Sequence, residues 1–505
     1  MDVTLRMTDA VYTALRRHHL DPTVRRERIS YAFGRALRGP RGLETILVAD
    51  APILPADDCY TSHSGGHVAL DVGVMNAILA QFARSDCDIL VNIHDHPFSP
   101  GGTTFSAIDD RDDLSLARYL RDRFEPMLAR QPDIGRPRQV VSVALVLDQS
   151  GLAARYVDRR GSFRAINRVR IIGPSAVEIV PNDQGERNFE ADETVSRQRD
   201  FITPAQQALI AKNTFAVVGL GGVGSIAAEA LLRLGARRLV LIDPDKVEAH
   251  NLNRWQGGRP CDVGHHKAEV LARRLRAMGG RRAVRVHAIP HSVFSAEALP
   301  YLRRADALVG CLDNHLARYF LNRVALQYLT PYFDAGVNIV AGDRVDFESR
   351  YFAVIPGHTA CAECTAYALF DHDQIDADLM DEITAEARRS AGYVGNRPEI
   401  TATASAYPLN MGAVSTLMTE LLNYFCGFRP LASCVADAWQ GGRRQRSDRA
   451  NHPEQPDPDC PACAHLLGAG DTIDLPRPKP LGHTARMLTE ARARLLGASS
   501  QPPRP

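Results

Sequence analysis

Three groups of residues in this chain have the types and spacing to do chemistry. The first is His94-Asp95-His96-Pro97, with Ser106-Ala-Ile-Asp109 behind it. The histidines leave the end of an apolar run at 89–93. Because side chains alternate along a strand, both sit on one face. Two imidazoles and the Asp109 carboxylate suit a zinc ion with one position open to water, the plan of a hydrolytic centre; Asp110 is the alternative third ligand. The second group is Cys361-Ala-Glu-Cys364 and Cys460-Pro-Ala-Cys463. Two Cys-x-x-Cys pairs make a closed tetrathiolate zinc site, which is structural because no position remains for a reacting water.

The third group opens on Gly219-Leu-Gly221-Gly222-Val-Gly224-Ser225, between an apolar strand from Phe215 and a helix ending near Gly235. Glycines let backbone approach phosphate, and the helix N-terminus adds N–H donors. Asp243, closing the next strand, suits a ribose hydroxyl pair. A dinucleotide oxidoreductase would share these features. The residues that follow separate the two readings: Asn251-Leu-Asn253-Arg254, then Lys267, then Leu312-Asp313-Asn314 after the apolar run 307–310. Two cations for a polyphosphate and one carboxylate for Mg²⁺ are what phosphoryl or nucleotidyl transfer needs, and a dehydrogenase needs neither. Asn251 and Asn253 either bond to the nucleotide or cap their own turn.

This ordered set, over about 196–425, resembles the ThiF/MoeB and ubiquitin-activating superfamily. The resemblance implies that Asp243 holds the ribose, Arg254 and Lys267 the triphosphate of ATP, and Asp313 the Mg²⁺. It also implies a homodimer in which Arg197 of Arg197-Gln198, or Arg199 in its place, serves the partner's site. The same family often carries the two cysteine pairs. It usually has a cysteine before its final long helix, which alignment on 411–420 would put near Ile400 or Thr401; residues 365–425 contain none. Thr401, Thr403 and Ser405 supply only hydroxyls there, Cys311 reads as packing, and Cys261 and Cys434 read as loop residues.

The first group resembles the JAMM motif of JAB/MPN isopeptidases, with Asp95 where that family has a small hydroxyl residue. The resemblance implies a catalytic zinc on His94, His96 and Asp109, Ser106 steadying an oxyanion, and an upstream glutamate base, Glu27 or alternatively Glu44. Ser-x-x-Asp before a helix is also close to a capping box.

The elements that position these groups follow from patterning. Apolar runs at 45–48, 89–93 and 140–147 alternate with helical patterns at 74–83 and 114–123. We expect an α/β fold: a JAB/MPN-like α/β domain over 1–181, a linker over 182–195, a Rossmann-like ThiF-type adenylation domain with its four-cysteine zinc site over 196–475, and a C-terminal helix (481–496) and disordered tail over 476–505. Residues 440–459 read as a polar, arginine-bearing loop. With 505 residues, more than one core is expected.

Lys plus Arg is 60 against 59 Asp plus Glu, so no basic field points to nucleic acid. The most apolar stretches, 214–234 and 411–425, are broken by polar residues and do not read as membrane spans. Ten cysteines, four of them paired by spacing, suit a reducing compartment, so cytoplasm is expected. The function expected is bifunctional: adenylation of the C-terminal glycine of a ubiquitin-like protein, joined to zinc-dependent processing or deconjugation of it. A conjugating enzyme or other acyl acceptor would then be a partner. The alternatives are sulfur-carrier activation, or a JAB domain used only for docking.

Overall fold

The computed structural model describes residues 2–24, 26–63, 68–96, 103–130, 138–149, 151–181, 193–280, 283–341, 345–364, 375, 379, 404–447 and 454–477. Two sheets organise them. In space the first runs Ala176–Ile179, Arg168–Ile172, Thr4–Thr8, Gly42–Val48, Ile29–Gly39, Ile89–Asp95, Val141–Leu147, Leu152–Val157 and Phe163–Ala165. Ile89–Asp95 is apolar over most of its length because both faces are covered. The core on one face gathers Val11 and Leu15 of helix Asp9–His19, and that on the other Ile78 and Phe82 of helix Val72–Arg84. The pattern at 114–123 falls in helix Ala107–Tyr119 and a wider π turn, Leu120–Phe124.

The second sheet runs Arg285–Ile289, Arg238–Ile242, Thr214–Val218, Ala307–Gly310, Tyr332–Ala341, Val345–Val354, Cys434–Gln440 and Arg443–Ser447. Its first five strands are parallel and the rest antiparallel. Helices Gly222–Arg233, Lys267–Gly279, His315–Gln327 and Tyr407–Cys426 accompany it. Parallel order with a reversal beside the first strand puts a crevice at the strands' carboxyl ends.

Two loop readings are corrected. Part of 440–459 is a hairpin, turned by Gly441 and Gly442 at φ +57° and +80°. Its second strand, Arg443–Ser447, is exposed at every position, so no apolar alternation marks it. Cys434 starts a strand and is buried. Residues 182–192 of the expected linker and the expected helix at 481–496 lie outside the described residues. Among the described residues no helix is long and apolar enough to cross a membrane.

The two sheets share a core: Leu37, Leu47 and Ile172 of the first belong to the cluster of the second. Charge pairs cross the same boundary. Arg170 Nη1 lies 2.9 Å from the buried Asp306 Oδ1, and Arg304 binds Glu44 at 2.8 and 2.5 Å.

Candidate functional site

His94 and His96 sit at the carboxyl end of Ile89–Asp95, two residues apart and therefore on one face. Asp109 comes to them from the first turn of helix Ala107–Tyr119. Its Oδ1 is 3.1 Å from His94 Nε2 and its Oδ2 is 3.7 Å from His96 Nε2. One donor atom from each of the three lies within 4.8 Å of the others. His94 Nε2 is buried and faces the Asp109 carboxylate, so the ring nitrogen and the carboxylate oxygens are turned to one shared centre. Burial and the nearby His94 lower the His96 pKa, which favours the neutral ring, the form that ligates metal. Burial opposes ionisation of Asp109, but His94 and the Ser106 N–H hold its carboxyl well below the usual range. The donor set thus fits a divalent cation such as zinc.

Ser106 forms a capping box with Asp109: its N–H donates to Asp109 Oδ2 at 2.6 Å, and its hydroxyl accepts from the Asp109 N–H at 3.3 Å. Asp110 turns away to Arg155, at 2.5 Å. Arg155 also binds Asp113 and lies over the rings of Phe105 and Phe163, which fixes the helix start. Asp95 is buried and faces the other side of the strand. Its Oδ1 accepts from the Arg28 N–H at 2.6 Å and stands 3.2 Å from His19 Nδ1. Strand Ile29–Gly39 pairs antiparallel with the histidine strand, Ile29 opposite His94. Glu27 lies two residues before Ile29, ahead of the paired register. Glu44 is elsewhere, bound to Arg304 of the second half of the molecule.

The second site is a cleft of about 890 Å³ at the carboxyl ends of the parallel strands. Gly219, Gly221, Gly222, Asp243, Asn251, Arg254, Lys267 and Asp313 all line it. Gly219 needs its left-handed φ of +82°, and a Cβ there would stand 2.6 Å from the Cys311 carbonyl. Gly224 lies beneath the turn, where a Cβ would meet Gly219 O at 1.8 Å; its role is close packing. Asp243 accepts from the Leu220 and Asp245 N–H groups at 2.6 and 2.8 Å, and burial raises its pKa. Asn251 Oδ1 accepts from Glu248 N–H at 3.0 Å, so it caps its own turn while lining the cleft. Asn253 is exposed and off the lining, accepting from Arg254 Nη1 at 3.1 Å. Lys267 Nζ pairs with the exposed Asp245 at 2.8 Å. Arg197 and Arg199 are exposed and do not line their own chain's cleft.

Arg318, Asp334 and Asn410 also line it, and sequence reasoning missed them. Arg318 was within reach, since it lies in the first helical turn after Asp313. Asp334 and Asn410 come from distant elements that only the fold brings together.

Cys361, Cys364, Cys460 and Cys463 form a compact cluster. Their Sγ atoms stand 3.8, 3.8 and 3.5 Å apart for the pairs Cys361–Cys460, Cys361–Cys364 and Cys364–Cys463. A tetrahedron of Zn–S bonds of ~2.3 Å has edges of ~3.8 Å, so the set fits zinc. The N–H groups of Glu363 and Asp457 donate to Cys361 and Cys364 Sγ at 3.4 Å each, which favours thiolates. Glu363 also binds Arg323 at 2.9 Å, tying the cluster to the helix that opens beside Asp313.

Comparison with known proteins bears on the second half of the chain. The model of the ThiF family matches residues 195–462. Ubiquitin-like modifier-activating enzyme 5 of Drosophila grimshawi is 29% identical over 226 residues, 42% of this chain and 50% of that protein. The NEDD8-activating enzyme E1 catalytic subunit of Arabidopsis thaliana is 34% identical over 158 residues, 30% of this chain and 34% of that one. The chain spans about half the length of the curated relatives it matches. Among solved structures, E. coli MccB with ATP is similar at 19% identity and a TM-score of 0.41, covering 55% of this chain and 76% of that one.

Proposed function

This chain belongs to the ThiF family, and from that premise we propose that it uses ATP and Mg²⁺ to adenylate the C-terminal glycine of a ubiquitin-like protein. The observation that carries the reading is one cleft gathering the glycine turn, Asp243, Arg254, Lys267 and Asp313. The N–H groups at the turn meet phosphate. Asp243, already fixed by two backbone donors, offers its remaining lone pairs to the ribose. The substrate carboxylate attacks the α-phosphorus. Its O–P bond forms as the bond to the bridging oxygen breaks, and pyrophosphate leaves with that electron pair. Arg254 and Lys267 stabilise the charge that gathers there. Asp313 holds the Mg²⁺, which neutralises phosphate charge when bound. Arg197, exposed on its own chain, serves the second copy's cleft in a homodimer.

The same reading gives the first sheet a JAMM-type peptidase centre that trims or removes the modifier. His94, His96 and Asp109 hold zinc, which supplies Lewis acidity when bound. Glu27 takes a proton from the attacking water and returns it to the leaving amine. A conjugating enzyme or other acyl acceptor then receives the activated modifier. ATP–pyrophosphate exchange dependent on a protein ending in glycine tests the adenylation. Exchange that persists in both Arg254→Ala and Asp313→Ala would sink it.

A further inference from the structure

We propose that Arg318 binds the terminal carboxylate of the acyl substrate and sets it for attack, an inference that rests on the adenylation reading. Arg318 lies in the first turn of helix His315–Gln327, and its guanidinium reaches the strand Tyr332–Ala341 along the cleft. Nε donates to Asp334 Oδ1 at 3.1 Å. Asp334 is 2% exposed, and its other oxygen accepts the Tyr332 hydroxyl at 2.7 Å, so the anchor is itself fixed. Nη1 and Nη2 make no hydrogen bond among the described residues, while the side chain keeps 18% of its surface accessible. One edge of the fork is tied down and the other is open to the cleft. That is the presentation a guanidinium uses to take a carboxylate through two parallel bonds.

Two glycines keep this place clear. A Cβ on Gly336 would stand 2.5 Å from Arg318 Nη2, and one on Gly310 would stand 2.3 Å from Asp334 Oδ2. Neither has a left-handed φ, so backbone conformation does not ask for glycine at either position. Space for the guanidinium and its anchor does. Gly336 pairs with Arg350 of the next strand, on the antiparallel half of the sheet. Arg254 sits in the turn after Asn251 and Lys267 opens helix Lys267–Gly279, so Arg318 is a further cation on a different element of the cleft. As one carboxylate oxygen forms its bond to phosphorus and pyrophosphate departs, the fork stays on the other oxygen, which becomes the carbonyl of the acyl-adenylate.

The test uses the full chain loaded with Mg²⁺ and α,β-methylene ATP, and a fluorescein-labelled peptide ending in Gly-Gly, as free acid and as amide. Anisotropy should show the acid binding about tenfold more tightly than the amide. Arg318→Gln should bring the acid down to the amide. Gly336→Ala, which keeps the charge but displaces the fork, should do the same with the fold intact by circular dichroism. Equal binding of acid and amide by the parent chain would overturn the proposal, as would discrimination that survives in either variant. A parallel loss of nucleotide affinity in Arg318→Gln would make the residue a phosphate ligand and overturn it too. Failure of the parent chain to bind the nucleotide would instead remove the adenylation reading.

Discussion

Arg6, on the first strand of the N-terminal sheet, donates from Nη1 to the Thr330 hydroxyl at 2.6 Å in the other half of the molecule. The same guanidinium reaches the carbonyls of Tyr328 and Ala305, at 2.8 and 2.9 Å. Between Tyr328 and Thr330, Leu329 is held at φ +49°, unusual for a γ-branched residue. A buried arginine from one sheet thus clamps a strained turn of the other.

Replacing Arg6 with Met removes its three bonds, leaving the Tyr328 carbonyl only the Thr330 hydroxyl at 3.3 Å, and leaves Asp306 short of one compensating cation. A loss of about 3–5 kcal/mol is expected. Because the halves share a core, hydrogen exchange should speed up in both sheets together. Faster exchange confined to Thr4–Thr8 would mean the halves are independent.

Asp306 gives the molecule an acid sensitivity. Burial opposes its ionisation, but Arg170, Arg168 and Arg6 outweigh it and lower its pKa. A carboxylate depressed in the folded state contributes stability that is complete above its unfolded pKa of ~3.9 and is lost as pH falls through the folded value. Urea unfolding measured from about pH 6 downward should therefore lose stability more steeply in the parent than in Asp306→Asn. Parallel curves would show that Asp306 is not the group responsible.

Glu27 and Glu44 separate by position. If Glu27 is the base, Glu27→Gln should lower peptidase turnover by about 10²–10⁴-fold while zinc content stays the same, because it is not among the clustered ligands. Glu44→Gln should leave turnover intact and only weaken the contact with Arg304. Equal activity in Glu27→Gln and the parent would remove the base from the mechanism.

Metal analysis should give two zinc ions per chain. Cys361→Ser should lose one and destabilise the protein, since a structural site contributes folding free energy. The effect should reach the nucleotide cleft through Glu363 and Arg323. His94→Ala should lose the other with the fold unchanged. One zinc in a preparation active in both reactions would contradict this.

How much of this was legible in the sequence depended on range. The glycine turn, the histidine strand and the cysteine pairs are short motifs whose spacing carries their geometry. Choosing Asp109 over Asp110 required Arg155, which arrives from Leu152–Val157 and takes Asp110 for itself. Asp95 looked like a departure from a motif until Arg28 and His19 gave its carboxylate a place. The strand Arg443–Ser447 was invisible because an exposed edge strand needs no apolar alternation. Nothing local in the sequence says that two sheets bury Arg6, Arg170 and Asp306 together.

The cysteines lead to the last prediction: adenylation without a covalent thioester on this chain. Residues 365–425 contain no cysteine. Four of the chain's ten belong to the four-cysteine cluster. Burial pushes the Cys87 thiol up to about 12, and those of Cys426 and Cys434 up to about 11, so they are poor thiolates at neutral pH. Cys311 lines the cleft, but burial and the nearby Asp334 raise its pKa as well. Ser405 reaches the cleft too, with its hydroxyl 3.3 Å from Asn410 Oδ1 and no base among its hydrogen-bond partners in the described residues; Thr401 and Thr403 lie outside the described residues. Cys59 and Cys261 are the remaining thiols, and neither lines the cleft. The acyl group should therefore pass from adenylate directly to an acceptor on another protein. Enzyme, Mg²⁺–ATP and the modifier, run on non-reducing gels, should show no reductant-sensitive adduct, while mass spectrometry detects the adenylate. An adduct abolished by one cysteine substitution, with Cys261→Ser and Cys311→Ser the first to try, would overturn direct transfer and identify the nucleophile.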